Sequence, residues 1–206
     1  MPSYLQDSQH LLQDALKLNF SNYNIKDISL ISADFESLYT NIILPHAVDT
    51  ITEFVSKKFH SIHINIFAFH ALLKIVLFNN YFKYKDCIYL QKIGIGMGLI
   101  CGPSVANIYV FILEDKALCI HRPIYYKRYI DDIFKIIFKD YPLDVFCNSF
   151  HNLKLNIISD NIVPFLDLNV SINNITKALD FFLYTKPTNT FGYLFTTSNH
   201  SDKKFN

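Results

Sequence analysis

The sequence has little charge, and this shortage limits what the protein can be. Only 18% of its 206 residues are charged, whereas half are apolar. A chain this apolar can bury a large core, which argues against wholesale disorder, and its length fits one domain or one domain with an appendage. The formal net charge of +1 argues weakly against a nucleic-acid enzyme, because phosphate contacts usually call for more positive charge.

Metal-binding and disulfide patterns are also scarce. The four cysteines are far apart and form no CxxC pair, which argues against a zinc site and gives no support to a disulfide framework. A reducing compartment is therefore the default. The single HxxH, formed by His60 and His63, has no second ligand pair nearby and predicts surface histidines. Basic clusters are few and are interpreted as solvated surface: Lys83/Lys85/Lys92, Lys127/Arg128, Lys135/Lys139 and Lys203/Lys204.

No secretory signal is expected, since no basic region followed by an apolar run opens this sequence. The expected location is inside the cell, with the nucleus among the candidates. Residues 93–113 carry no charge and are long enough to cross a bilayer. Glycines and Pro103 interrupt this stretch, so only the part after Pro103 predicts a helix. A small membrane protein spanning 93–113 remains the least favoured alternative.

The predicted elements follow one another without a composition shift that would mark a domain boundary. The chain begins with a short helix within residues 1–20 and ends in a polar loop from residue 185. Between them the hydrophobic patterns predict a strand at 25–33, helices at 45–55 and 66–78, a hairpin at 81–90 and a helix at 103–119. A second hairpin at 125–138, a helix at 143–153 and short strands up to 184 follow. This order predicts an α+β domain with helices on one face of an antiparallel sheet.

Adjacent carboxylates stand at the turn of the second hairpin, at Asp131 and Asp132. Their like charges repel and raise each other's pKa unless a cation lies nearby, and a divalent ion would supply that charge. A solvated turn explains the dipeptide alone more simply, because Asp is favoured in turns.

A third carboxylate, Asp34, follows the first predicted strand, with Glu36 as a competing acid two residues later. Alone, Asp34 would be interpreted as a helix cap or turn residue. A strand-end Asp and an Asp-Asp hairpin, separated by a glycine-rich turn and a helix, together match the layout of a polymerase palm. In such palms two Mg²⁺ ions roughly 3.5–4 Å apart are held by carboxylates and substrate phosphates during in-line phosphoryl transfer.

Five blocks carry a family resemblance, which runs from about residue 26 to the C-terminus. In chain order they are Ala33–Ile42, Asn80–Phe82 with Tyr89–Gly98 and Gly102–Asn107, Arg128–Phe134, Pro164–Leu168, and Leu183–Thr190 with Tyr193–Leu194. These blocks resemble motifs A, B and C and the following motifs of the reverse transcriptases of Penelope-like retroelements.

The resemblance implies a palm with a ferredoxin-like β-α-β-β-α-β core over residues 26–160. It also implies a short N-terminal segment over 1–25, and primer-grip-like strands with a truncated start of the thumb over 161–206. The implied activity is RNA-directed DNA polymerisation with two Mg²⁺ ions, dNTPs and an RNA template carrying a DNA primer. Asp34, Asp131 and Asp132 would hold the metals, and the backbone carbonyl of Phe35 would assist.

Substrate-contacting residues are implied by the same resemblance. Tyr39 matches the steric gate that blocks a 2′-hydroxyl, with a core aromatic as the alternative. Met97 and Gly98 match a turn whose backbone approaches the nascent base pair, where only Gly allows that proximity. Gln91 would contact substrate or template. The Phe165–Asp167 block would support the primer, with Asp167 in a structural role.

The chain also departs from the family pattern. Only 33 residues precede Asp34, too few for the fingers region, and the chain stops within about twenty residues of the last block, before any nuclease. A fragment or a decayed copy of an element is therefore expected. The rival interpretation is a catalytically inactive remnant that at most binds nucleic acid.

Overall fold

The computed structural model describes residues 3–59, 63–186 and 188. Predictions for His60, Lys203, Lys204 and the end of the last block (Pro187, Asn189, Thr190, Tyr193, Leu194) lie outside the described residues. The helices are α1 Ser8–Ala15, α2 Leu38–Asn41, α3 Leu44–Lys58, α4 Ile66–Phe78, α5 Gly102–Ile120 and α6 Leu143–Asn148. The strands are β1 Ile28–Phe35, β2 Tyr81–Tyr84, β3 Cys87–Leu90, β4 Tyr125–Tyr129, β5 Asp132–Phe138, β6 Leu155–Asp160, β7 Ile162–Phe165, β8 Leu168–Ile172 and β9 Leu179–Leu183.

Four of the strands form a central antiparallel sheet in the order β4-β5-β1-β6. In chain order these are the second, third, first and fourth strands. This is the split βαβ arrangement of a ferredoxin-like β-α-β-β-α-β domain. The predicted α+β class and core topology are confirmed. The β2–β3 hairpin is a separate two-stranded sheet, and β7-β8-β9 form a third sheet.

Helices α3, α5 and α6 cover one face of the central sheet. Alternate residues of β1 point to this face, because successive side chains of a strand point to opposite sides. Ile31, Ala33 and Phe35 are buried there in one cluster with residues of the three helices. The ring of Phe35 meets Phe150, which follows α6, edge to face with centroids 5.1 Å apart.

The opposite face is covered by the N-terminal segment and the β7-β8-β9 sheet. Leu5 and Phe20 pack in one buried cluster with Leu30, Phe134 and Phe165. The backbone around residue 4 also pairs with β4 as a parallel bridge. Residues 3–20 therefore contribute to the core that supports the sheet.

The clearest difference from the predicted helix boundaries is at the end of α6, whereas α5 lies where it was predicted. Helix α6 ends at Asn148 rather than near residue 153, and His151, at φ +57°, lies in the turn that follows. Helix α5 begins at Gly102, so residues 93–101 lie outside it, and it includes Glu114, Asp115 and Lys116. Within the described part of the chain, no helix combines the length and the apolar character needed to cross a bilayer.

The interpretation of the basic clusters as solvated surface is wrong for two residues. Arg128 is 0% exposed and Lys135 is 1% exposed. Both side chains point to the helix-covered face of the sheet, since they stand at alternating positions of β4 and β5 that face α5 and α6. Successive side chains of a strand point to opposite faces of the sheet, and this alternation decided the burial of Arg128 and Lys135. Composition does not reveal which face a residue occupies.

Candidate active site

Two of the three predicted carboxylates are direct neighbours in the central sheet. Asp34, at the C-terminal end of β1, pairs with Asp132, the first residue of β5. Directly opposed residues of an antiparallel pair have Cβ atoms about 4.5–5.5 Å apart. The strand register therefore brings together carboxylates that lie 98 positions apart in the sequence.

Asp131 completes the cluster from the turn between β4 and β5. The preceding residue, Ile130, has φ +53°, a left-handed conformation that is rare for a β-branched side chain. The turn is joined to β1 by a 3.2 Å hydrogen bond from the Phe35 amide to the Asp131 carbonyl. Glu36, the competing acid, is exposed in the turn after β1.

The charge of Asp131 acts on the groups around it. Burial and then the Asp131 charge raise the pKa of Asp34 above its ordinary 3.8. Burial, Asp131 and Asp34 together raise the pKa of Asp132 to about 6. Burial and Asp131 likewise raise the pKa of the Tyr39 phenol. Burial is the larger cause of each shift, and the negative charge of Asp131 adds to it. A divalent cation would neutralise that charge.

The donor set at this sheet end consists of carboxylates, which suit Mg²⁺. Among the residues that the structure describes, no group of three or more His, Cys, Asp and Glu side chains is arranged to hold a metal ion. Repulsion opposes the gathering of three carboxylates without a cation. The residues thus fit the chemistry of a Mg²⁺ site, although their side chains would have to converge on the ion.

Tyr39 lies beside the carboxylates on the short helix α2. Its side chain is partly buried against the helix-covered core, so it has features of both the predicted gate and its alternative, a core aromatic. Its carbonyl accepts a 2.7 Å hydrogen bond from the Ile95 amide in the glycine-rich turn. Gly94 in the same turn has φ +73°, and a Cβ atom there would come within 2.5 Å of the Thr40 Cα. At Gly94, glycine is therefore required by a close approach within the protein, to the backbone of Thr40.

The other predicted substrate residues lie along the same turn. Gln91 is half-buried, and its side-chain amide donates to the Ile93 carbonyl at 2.9 Å. The Met97 side chain is 77% exposed. A Cβ atom at Gly98 would have no neighbour within 4 Å. No protein contact requires glycine at position 98, so its role in substrate approach stays a prediction.

The Phe165–Asp167 block forms the turn between β7 and β8. Phe165 is buried against Phe134, with ring centroids 5.5 Å apart. Leu166 is left-handed at φ +55°, and the Asp167 carbonyl accepts a 2.7 Å hydrogen bond from the Tyr184 amide. The turn is therefore fixed from both sides, and its contact with a primer stays a prediction.

Sequence reasoning missed two residues at this site. The positive charge of Lys186 lowers the pKa of Asp34 and of Asp132, opposing the larger effects that raise them. Lys186 also lines a shallow groove of about 600 Å³ with Asp167 and Tyr184. Arg128 was assigned to the surface, yet it is buried beneath the Asp131 turn. Both residues belong to the family-like blocks, which was the available signal.

Solved structures with a similar fold include nucleic-acid polymerases. An apo telomerase from Candida tropicalis, truncated from its C-terminal domain, superimposes with a TM-score of 0.63 over 89% of this chain, at 13% identity. An RNA-dependent RNA polymerase of a human picobirnavirus, as an insertion-loop deletion mutant, gives a TM-score of 0.54 over 74% of this chain, also at 13% identity. The described domain therefore has the fold of a polymerase palm.

The likeness is limited in length and in sequence. The chain spans 41% of that telomerase chain and 31% of that viral polymerase chain. A scan against models of known protein families gives no match, and a sequence search of curated proteins gives none either. The comparisons thus identify a reverse-transcriptase-like polymerase fold and leave the activity to be argued from the site.

Proposed function

We propose that this chain is the palm of an RNA-directed DNA polymerase, a reverse transcriptase of the Penelope-like kind. The observation that supports this most directly is the Asp34–Asp132 pair beside Asp131, at the end of a sheet with the fold of a polymerase palm. The family-like blocks, which occur in the expected order, support the choice of this kind of reverse transcriptase.

Asp34, Asp131 and Asp132 would hold two Mg²⁺ ions, with the Phe35 carbonyl as a further ligand. Bound Mg²⁺ supplies charge stabilisation for in-line transfer of a nucleotidyl group to a primer 3′-hydroxyl. The residues of the chain contribute positioning, which accounts for much of the catalysis of such transfers. The β1–β5 pairing fixes the backbone positions of Asp34 and Asp132, and the Ile130 turn fixes that of Asp131.

The substrates in this proposal are dNTPs and a DNA primer on an RNA template. The Tyr39 ring lies close enough to Asp131 for the Asp131 charge to affect its pKa. An aromatic ring at that position would exclude the 2′-hydroxyl of a ribonucleotide. The Lys186 cation near the carboxylates would meet the negative charge of the triphosphate or the primer.

The test measures metal binding and primer extension on the same purified chain. Mn²⁺, a paramagnetic substitute for Mg²⁺, is titrated and the free ion is followed by electron paramagnetic resonance. Extension of a DNA primer on an RNA template is measured with dNTPs and Mg²⁺. We expect Asp131→Asn to weaken Mn²⁺ binding and to abolish any extension, because it removes the central charge of the cluster.

The matched control is Asp140→Asn, which removes an exposed carboxylate in the turn that follows the far end of β5. It should leave both measurements unchanged. Equal Mn²⁺ binding by the wild type, Asp131→Asn and Asp140→Asn would contradict the metal site. Binding that depends on Asp131, without extension on any template, would favour the inactive remnant.

A further inference from the structure

The Asp131 turn is held from below by a buried polar network. Arg128 donates from Nη1 to the Ile130 carbonyl at 2.7 Å and to the Asn107 side chain at 2.9 Å. Its Nε donates to Glu114 at 2.5 Å, and both members of this ion pair are 0% exposed. The Arg128 guanidinium therefore links helix α5 to Ile130, the residue that precedes Asp131 and Asp132.

Glu114, the carboxylate partner of Arg128, has hydrogen bonds to both of its side-chain oxygens. Glu114 also accepts hydrogen bonds from the Ser3 hydroxyl and, at 3.3 Å, from the Tyr126 hydroxyl. The backbone of Arg128 is fixed on both sides, by the Ser3 carbonyl at 2.7 Å and the Leu5 amide at 2.8 Å. A guanidinium held on so many sides has little freedom to move.

The conformation of Ile130 explains why such an anchor is needed. A left-handed backbone is unfavourable for a β-branched residue, and it persists only where the surroundings enforce it. A hydrogen bond from a charged donor to the Ile130 carbonyl supplies that constraint. The same turn directs Asp131 towards Phe35 and places Asp132 opposite Asp34.

We propose that Arg128 is a positioning residue: it locks the Ile130 turn so that Asp131 and Asp132 stay beside Asp34, from where the three side chains can converge on divalent ions. This inference rests on the proposed function for its metal readout. A second readout, the exchange of the Phe35 amide, needs no metal, because that amide reports directly on its hydrogen bond to the Asp131 carbonyl.

Removing Arg128 alone would leave Glu114 buried without its partner, which is strongly destabilising. The test therefore uses the double variant Arg128→Met with Glu114→Gln. The Gln side chain keeps an acceptor for Ser3 and Tyr126, and no unpaired charge remains. The control is the wild type, in which both charges of the pair are present, because Glu114→Gln alone would leave the Arg128 charge buried without its partner.

We expect the double variant to exchange the Phe35 amide at least about tenfold faster than the control, with the Ile31 amide in mid-strand unchanged. Its Mn²⁺ affinity should fall by a similar factor. A factor of about ten is the smallest expected for losing one hydrogen bond from a charged donor. A double variant that matches the control in both measurements would overturn the inference.

Arg128→Lys provides a second test should the double variant fail to fold. Lysine keeps the charge near Glu114 but lacks the rigid fork that reaches Glu114 and the Ile130 carbonyl together. It should show the same faster Phe35 exchange, and full rescue by lysine would refute the role. If wild-type Mn²⁺ binding does not depend on Asp131, the proposed function fails, while Phe35 exchange still decides whether Arg128 positions the turn.

Discussion

Lys135 should destabilise this fold, and its replacement should show by how much. Its ammonium is buried without a hydrogen-bond partner, and burial lowers its pKa from 10.5 to about 7. A shift of that size corresponds to about 5 kcal/mol. The ammonium also lies 3.4 Å from the centroid of the Phe146 ring, a cation–π contact that returns about 2 kcal/mol when desolvated. The net destabilisation is therefore about 3 kcal/mol.

The replacement Lys135→Met keeps the length of the side chain and removes its charge. We expect the free energy of unfolding at pH 6 to rise by about 3 kcal/mol, measured by urea denaturation. The effect depends on pH with a defined sign. The unfolded chain keeps the lysine proton up to about pH 10.5, whereas the folded chain loses it near pH 7. Wild-type stability should therefore rise relative to the variant above pH 7.

The control is Lys139→Met, an exposed position at the end of the same hairpin. A surface substitution of this kind changes stability by no more than about 0.5 kcal/mol. A Lys135→Met variant that is less stable than the wild type, or whose advantage is the same at pH 6 and pH 9, would refute the reasoning. Either result would mean that the Lys135 ammonium is well solvated, or that cation–π contacts with Phe146 and Tyr141 fully offset the cost of burying its charge.

Three further predictions concern the candidate site. Asp132→Asn should stabilise the metal-free protein above pH 6, because the raised pKa of Asp132 makes the wild type lose stability as pH rises from about 4 to 6. Thermal melts across this range test it. A difference in melting temperature between variant and wild type that does not change with pH would contradict it. Gly94→Ala should lower stability by about 2 kcal/mol or more, since it adds a Cβ at positive φ against Thr40, whereas Gly98→Ala should leave the melting temperature unchanged; equal melting temperatures would contradict this contrast. In any form of the protein that extends primers, Tyr39→Ala should increase the use of rNTPs relative to dNTPs; an equal loss of both with a lower melting temperature would identify Tyr39 as a core aromatic.

Local patterns in the sequence determined most of the secondary structure. The hairpin strands β2 and β3 and helix α4 begin and end where alternation and helical spacing predict. The order of elements also predicted the ferredoxin-like core, because short connections and antiparallel pairing leave few ways to arrange them. Helix α6 is shorter than predicted: after Asn148 the chain continues in hydrogen-bonded turns, and His151 takes a left-handed conformation that its residue type does not announce.

The three aspartates were predicted from the sequence to be metal ligands, which stays a prediction, and the tertiary structure decided how they lie relative to one another. Strand register is a long-range property. Asp34 pairs with Asp132 because β5, and not β4, is the strand that lies next to β1. The same applies to Arg128 and Lys135, which are basic residues by composition and core residues by position. From the residue type and its sequence neighbours alone, a charged side chain is predicted to lie at the surface. Only the packing of helices on one face of the sheet could place these two side chains inside.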